Sequence, residues 1–253
     1  MSKAYIDAFT ATGEKQFLDR ARKNLDFIAS KVIQKDGLLF RNYKNGKASI
    51  NGFLDDYAFS VQALIALYQV SFEEKYLNSA KLISDYAIKH FFDTNTQTFY
   101  FSDDSNSKLI SRKIETLDNN LPASTAVMSQ SLYILGDLLY NEDYKTKAKN
   151  SLARVCTEIN RSQSPEFYAS WLKFANLVQK TPYEIAITGD NFEVLRSEMQ
   201  KNYLPDAIYL GGKSEGKLEL LKGKVQPGNS LIFVCKEKVC KIPQKTVIEA
   251  LKG

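Results

Sequence analysis

The segment GFLDDYAF (residues 52–59) sets two carboxylates, Asp55 and Asp56, side by side, and no Asp, Glu, Lys or Arg follows over residues 57–72. Carboxylates in such a place can act as general acid, general base or acceptors for sugar hydroxyls. Acids in a first helical turn also meet the helix dipole favourably, by about 0.3–1 kcal/mol. That bland account suits one exposed acid better than two heading an otherwise uncharged helix. Successive helical residues project ~100° apart, so at least one of the pair can face a cleft. A further acid, Asp118 in LDNNLPASTA (residues 117–126), stands at the equivalent point before a second uncharged stretch, residues 119–136. If the two uncharged segments are neighbours, Asp118 meets Asp55 and Asp56 across a cleft, the minimal carboxylate set of a glycosidase; the sequence does not fix their separation. The plain alternative for residues 117–126 is a helix start capped by Ser124 or Thr125.

Other side chains can line the same mouth. Arg41 and Tyr43 lie in LLFRNYKNGKASI (residues 38–50), and Arg112 lies in TFYFSDDSNSKLISRK (residues 98–113). Phe53 and Tyr57 flank the acid pair, and Ser124 opens the second uncharged segment. These six are candidate substrate-binding residues; solvated arginines and packed aromatics are the competing description. His90, the one histidine of the chain, closes an amphipathic segment and has no evident partner. A single His leaves no HExxH site, no multi-His metal cage and no two-His acid–base pair. Cys235 and Cys240 form C-x₄-C, unlike a zinc or redox CxxC, and read as structural or incidental thiols. No metal and no organic cofactor is expected.

These residues need elements to position them. The composition, with 44% hydrophobic and 25% charged residues and few Gly (12) and Pro (6), is that of a globular chain inclined to helix. One pattern recurs three times, at residues 14–28, 74–87 and 142–155, each with an aromatic (Phe17, Tyr76, Tyr144) four residues before an Ala (Ala21, Ala80, Ala148). These repeats are amphipathic helices, and they alternate with the uncharged segments, which read as helices buried on all sides. Interruptions by Ser, Gln and Thr argue against membrane spans. Asn45-Gly46 between extended stretches signals a β-hairpin. Helices are expected over residues 4–11, 14–34, 53–70, 73–90, 124–140, 142–160 and 166–179, three hairpins and half of a fourth. Inner helices alternating with outer ones describe an α/α toroid over residues 1–180. Beyond Pro182, strands at 184–188, 207–212 and 230–235 with helices at 191–203 and 244–251 describe a small α/β segment, residues 181–253.

Residues 201–253 carry ten Lys, no Arg and five acids, which is the whole net charge of +5. No basic stripe with interleaved aromatics accompanies it, so neither nucleic acid nor a membrane is expected as a partner. MSKAYIDAF has no apolar signal core, and three cysteines in a chain of this size favour a reducing compartment; cytoplasm is the default.

GFLDDYAF, the repeated hairpins, the D-x-x-x-P stretch at residues 118–122 and the closing VCKEKVCKIP (residues 234–243) together resemble the C-terminal region of the thioredoxin-domain-containing family that includes spermatogenesis-associated protein 20. The resemblance implies an N-terminal thioredoxin-like domain followed by a six-hairpin toroid related to six-hairpin glycosidases and N-acylglucosamine 2-epimerases, with sugar metabolism inferred from the fold. This chain departs from that pattern twice. It has no CxxC and no thioredoxin-like domain, and it reads Pro122-Ala-Ser-Thr-Ala126 where the family tends to read P-S-x-N-S. The epimerase comparison requires histidines that the chain does not possess. The expectation is therefore a partial, mainly α toroid that binds or processes a sugar or another small polar ligand through cleft carboxylates. The rival, from a different class, is a non-catalytic scaffold, partner subunit or fragment that completes a toroid with a second chain.

Overall fold

The computed structural model describes residues 1–104 and 111–252. The chain opens with α1 (Ser2–Thr12), stopped by Gly13 in the left-handed conformation, and returns as α2 (Lys15–Phe27). The helical path of α2 runs on, but over Ile28–Val32 it widens to a π turn. The expected single helix to residue 34 is thus two kinds of helix, and the wider turn brings Ile33 to its bridge with Leu39. The hairpin β1 (Phe40–Lys44) and β2 (Lys47–Asn51) follows, turning at Asn45 and Gly46. Both have positive φ, 51° and 78°, as a two-residue turn between twisted strands demands.

Next come α3 (Leu54–Ser71) and α4 (Glu74–Phe91), then the short pair β3 (Phe92–Asp93) and β4 (Thr98–Phe99). The tip expected within residues 98–113 falls at 105–110, outside the described residues. After it stand α5 (Ser124–Leu139), α6 (Glu142–Arg161), a 3-10 turn at Pro165–Tyr168 and α7 (Ala169–Lys180). The uncharged segments are the inner helices: Leu54, Tyr57, Val61, Leu64 and Leu67 of α3 are fully buried, as are Met128, Leu132 and Leu135 of α5. The recurring Ala is where an outer helix comes down on its inner partner, and Ala21, Ala80 and Ala148 have no exposed surface.

The remainder forms β5 (Tyr183–Thr188), α8 (Phe192–Gln200), β6 (Ala207–Gly212), β7 (Leu231–Lys236), β8 (Val239–Cys240) and α9 (Val247–Lys252). The sheet order is β6-β5-β7-β8, with β5 parallel to β6 and antiparallel to β7. This sheet sits at the C-terminal ends of the inner helices. There Gln69 Oε1 accepts a hydrogen bond from the Tyr209 N–H at 3.0 Å, and Glu74 Oε1 accepts from the Lys217 N–H at 2.7 Å. The inner helices of the two uncharged segments, α3 and α5, each end on a left-handed aromatic, Phe72 and Tyr140, where glycine is the cheap choice. The α/β part covers each: Phe72 packs on Phe192 with ring centroids 5.5 Å apart, and Lys238 Nζ sits 4.2 Å above the Tyr140 ring. The β1–β2 hairpin and the segment after β4 lead into the N-terminal ends of α3 and α5, the opposite end.

The structure corrects the expectation of free thiols: Cys235 and Cys240 are joined as a disulfide. They are register partners across β7 and β8, and a two-residue turn at Glu237-Lys238 places C-x₄-C residues directly opposite one another. Closing so short a loop contributes about 2 kcal/mol by the chain-entropy argument. Cys240→Ser is expected to lower the urea midpoint without reductant and to match the wild type once reductant is present; coincident midpoints without reductant would mean that the bond does not form.

Candidate functional site

The loop end of the bundle holds a cleft of about 580 Å³ between the N-terminal halves of α1 and α3. Asp55, Asp56, Phe59, Ser60 and Gln62 enter it from α3, Lys3 and Asp7 from α1, and Leu121 from the approach to α5. Asp55 Oδ1 accepts the N–H of Asp56 at 2.9 Å. Asp56 is the N3 acid of a helix cap, and its Oδ2 accepts the N–H of Phe53 at 2.9 Å. Arg41 Nε stands 3.7 Å from that same oxygen. Burial raises the Asp56 pKa above the ordinary aspartate range; the Phe53 N–H pulls it back, Asp55 pushes it further up, and Arg41 opposes. The Arg41 guanidinium lies 4.9 Å over the Phe53 ring, which stacks on Phe101 at 5.1 Å. Arg41 and Phe53 thus form one layered unit against Asp56, and neither is among the residues lining the cleft.

The remaining candidates are placed elsewhere. Asp118 is not in the cleft lining: its Oδ1 accepts the Ala123 N–H and its Oδ2 the Ser170 N–H, both at 2.8 Å. It pins the start of α5 to the start of α7. Ser124 is fully buried and donates its hydroxyl to Glu115 Oε2 at 2.7 Å. Tyr57 is fully buried too, its oxygen accepting the Leu39 N–H at 2.8 Å while its ring stacks on Tyr86. Arg112 donates to the carbonyls of Ser102 and His90 and lies 4.3 Å over the Tyr100 ring, tying the segment after β4 to the end of α4. Tyr43 packs edge-on against Phe27 at 5.1 Å. His90 does have a partner: its Nδ1 lies 2.8 Å from Asp104 Oδ1, beside the Tyr86 ring. A contact between positions fourteen residues apart through a loop leaves no trace in local sequence.

What sequence reasoning missed was legible. Asp55, Phe59, Gln62, Ala66 and Gln69 repeat every three or four residues, so they form one stripe on an otherwise apolar helix. That stripe faces the cleft and a smaller hollow of about 100 Å³ beyond it, where Gln62, Ala66 and Gln69 meet Gln130 and Lys173.

No protein-family model matches the chain. It is 27% identical over 260 residues to the uncharacterized protein B0495.5 of Caenorhabditis elegans, covering 96% of this chain and 35% of that protein. It is 23% identical over 206 residues to human spermatogenesis-associated protein 20 (76% and 26%), and 26% identical over 164 residues to the rat protein of that name (63% and 20%). The chain is similar to part of spermatogenesis-associated protein 20. It spans about a third or less of the length of these curated relatives. Among solved structures, an α-mannanase of glycoside hydrolase family 76 from Bacteroides thetaiotaomicron superposes with TM-score 0.53 at 15% identity, over 79% of this chain and 54% of that one. A D-mannose isomerase gives 0.53 at 13% identity, over 79% and 57%. A sugar epimerase from a ruminal bacterium gives 0.50 at 19%, over 61% and 41%. The fold is therefore an α/α toroid of helical hairpins, present in part, with a small sheet region at its C-terminal end. Among the described residues no helix is long and apolar enough to cross a membrane, and no cluster of three or more His, Cys, Asp or Glu is arranged to hold a metal.

Proposed function

We propose that the chain binds a carbohydrate or similar polyol in the cleft between α1 and α3, with the carboxylates of Asp55 and Asp56 accepting ligand hydroxyls. The observation that carries this is the convergence of both acids with Ser60, Gln62 and the apolar faces of Phe59 and Leu121 on one concave space. An apolar lining with a few directed polar groups is the general make-up of a small-molecule site, and a sugar ring offers both a hydroxyl edge and an apolar face. The raised pKa of Asp56 keeps its proton to higher pH than a free aspartate, which suits it to donate as well as accept. Solved structures with this fold bear the names of a mannanase, a mannose isomerase and a sugar epimerase, and they favour the same ligand class. For two-carboxylate chemistry the group sharing the cleft with Asp55 and Asp56 is Asp7, ion-paired to Lys3, rather than Asp118.

Calorimetric titration of a sugar panel tests the reading. The Asp55→Asn/Asp56→Asn double variant is expected to lose at least about tenfold in affinity, since a hydrogen bond to a charged group contributes roughly 1.5–3 kcal/mol. Equal binding by wild type and double variant removes the site. Asp118→Asn is expected to leave sugar affinity unchanged and lower the thermal midpoint.

A further inference from the structure

The sheet has a cleft of its own, far from the acid pair. About 440 Å³ lies open where α8 and α9 cross one face of the sheet, a volume within the range of about 300–1,000 Å³ typical of small-molecule sites. Its floor is apolar and already buried: Ile185 is 2% exposed, Met199 1% and Ala250 6%. Leu204, Val234 and Leu251 continue the apolar lining, to which Tyr183 adds a hydroxyl-bearing ring. Three charged residues border it: Asp206, Lys241 and Lys252. Asp206 is committed to the helical part, with Asn176 Nδ2 and Lys180 Nζ each 3.5 Å from a carboxylate oxygen. Lys241 and Lys252 have no acidic partner among the described residues.

We propose that this trough is a second binding site, for a medium-chain carboxylate or a like anionic amphiphile. The alkyl chain lies along Ile185, Met199, Val234 and Leu251, gaining the transfer energy of each buried methylene, and the head group is met by the ammonium groups of Lys241 and Lys252 at the rim. The site is independent of the sugar cleft in position and in chemistry.

Isothermal titration of the whole chain with decanoate, and with decanol as the neutral twin, tests it. Decanoate is expected to bind saturably at one site. Lys241→Glu/Lys252→Glu, both at exposed positions that leave the fold alone, is expected to weaken decanoate by at least about tenfold and to spare decanol. Ala207→Trp, which fills the trough, is expected to abolish both, with the thermal midpoint showing that the chain still folds. Decanoate binding unmoved by the lysine variant overturns the anionic class; no saturable binding, or binding unmoved by Ala207→Trp, overturns the site. Asp55→Asn/Asp56→Asn is expected to leave decanoate affinity intact, so each site can fail without the other.

Discussion

Lys145→Met is expected to lower stability by about 3–5 kcal/mol, the usual cost of leaving one partner of a buried ion pair alone. Lys145 Nζ lies 2.5 Å from Asp137 Oδ1, and the two side chains are only 15% and 11% exposed. The pair holds α6 against α5. Its approach depends on Gly136, because a Cβ there would come within 2.6 Å of the Lys145 Cγ. Removing the ammonium strands the Asp137 carboxylate in a site that also feels the buried Glu184. In a chain of this length the loss corresponds to a fall of roughly 10 °C in thermal midpoint. The double variant Asp137→Leu/Lys145→Met is expected to regain most of it, since a hydrophobic pair of similar volume meets no desolvation penalty. Burial draws the Lys145 pKa down, but the hydrogen bond and charge of Asp137 outweigh it, and the net value lies above the ordinary 10.5. Asp137 sets the other limit, since burial raises its pKa above the ordinary aspartate range despite Lys145. The pair's contribution is therefore present between the two, lost as pH falls through the folded-state value of Asp137 and lost as pH rises through that of Lys145. Urea melts across the alkaline range read this directly, and a single variant as stable as the wild type would show that the pair is dispensable.

Trp171→Ala is expected to cost a similar 3–5 kcal/mol through the cavity it leaves. Trp171 is fully buried on α7, and its indole Nε1 donates to the Thr116 carbonyl at 3.0 Å. Beside it the Ser170 N–H meets Asp118, so α7 carries the segment that leads into α5 by two ties. Trp171→Phe keeps most of the packing and loses about 1 kcal/mol for the hydrogen bond. Amide exchange separates the roles: Ala123 N–H, which donates to Asp118, is expected to exchange faster in Trp171→Ala than in Trp171→Phe. Equal exchange in both would mean that the segment is held without the indole.

Much of the fold was legible because its signals are local. The absence of charge over residues 57–72 identifies α3 as an inner helix, Asn45-Gly46 fixes the β1–β2 turn, and the strands expected beyond Pro182 lie within a residue of β5, β6 and β7. What local patterns do not encode is the partner. Asp118 had the residue type and place of a cleft acid, yet the chain folds two backbone N–H groups onto it. Tyr57 sits one residue beyond the acid pair, and the 100° turn of the helix carries it into the core. The pairing of Cys235 with Cys240 needed the register of β7 on β8, which depends on two consecutive non-glycine residues taking positive φ, Glu237 at 50° and Lys238 at 70°. The left-handed Phe72 and Tyr140 escape sequence reasoning for the same reason, since only their tertiary contacts make that conformation worth holding.

The position of Gln69 has a bearing on solubility. A sheet can grow only at an edge, by offering unpaired N–H and C=O groups to another chain. Here one edge strand, β6, lies against α3, and the N–H of Tyr209 is taken by the Gln69 side chain. The other, β8, is two residues long and is followed by Pro243 after a short run. Among the described residues the four-stranded sheet thus offers no long open edge, and strand addition at β6 has to wait until α3 comes away from it.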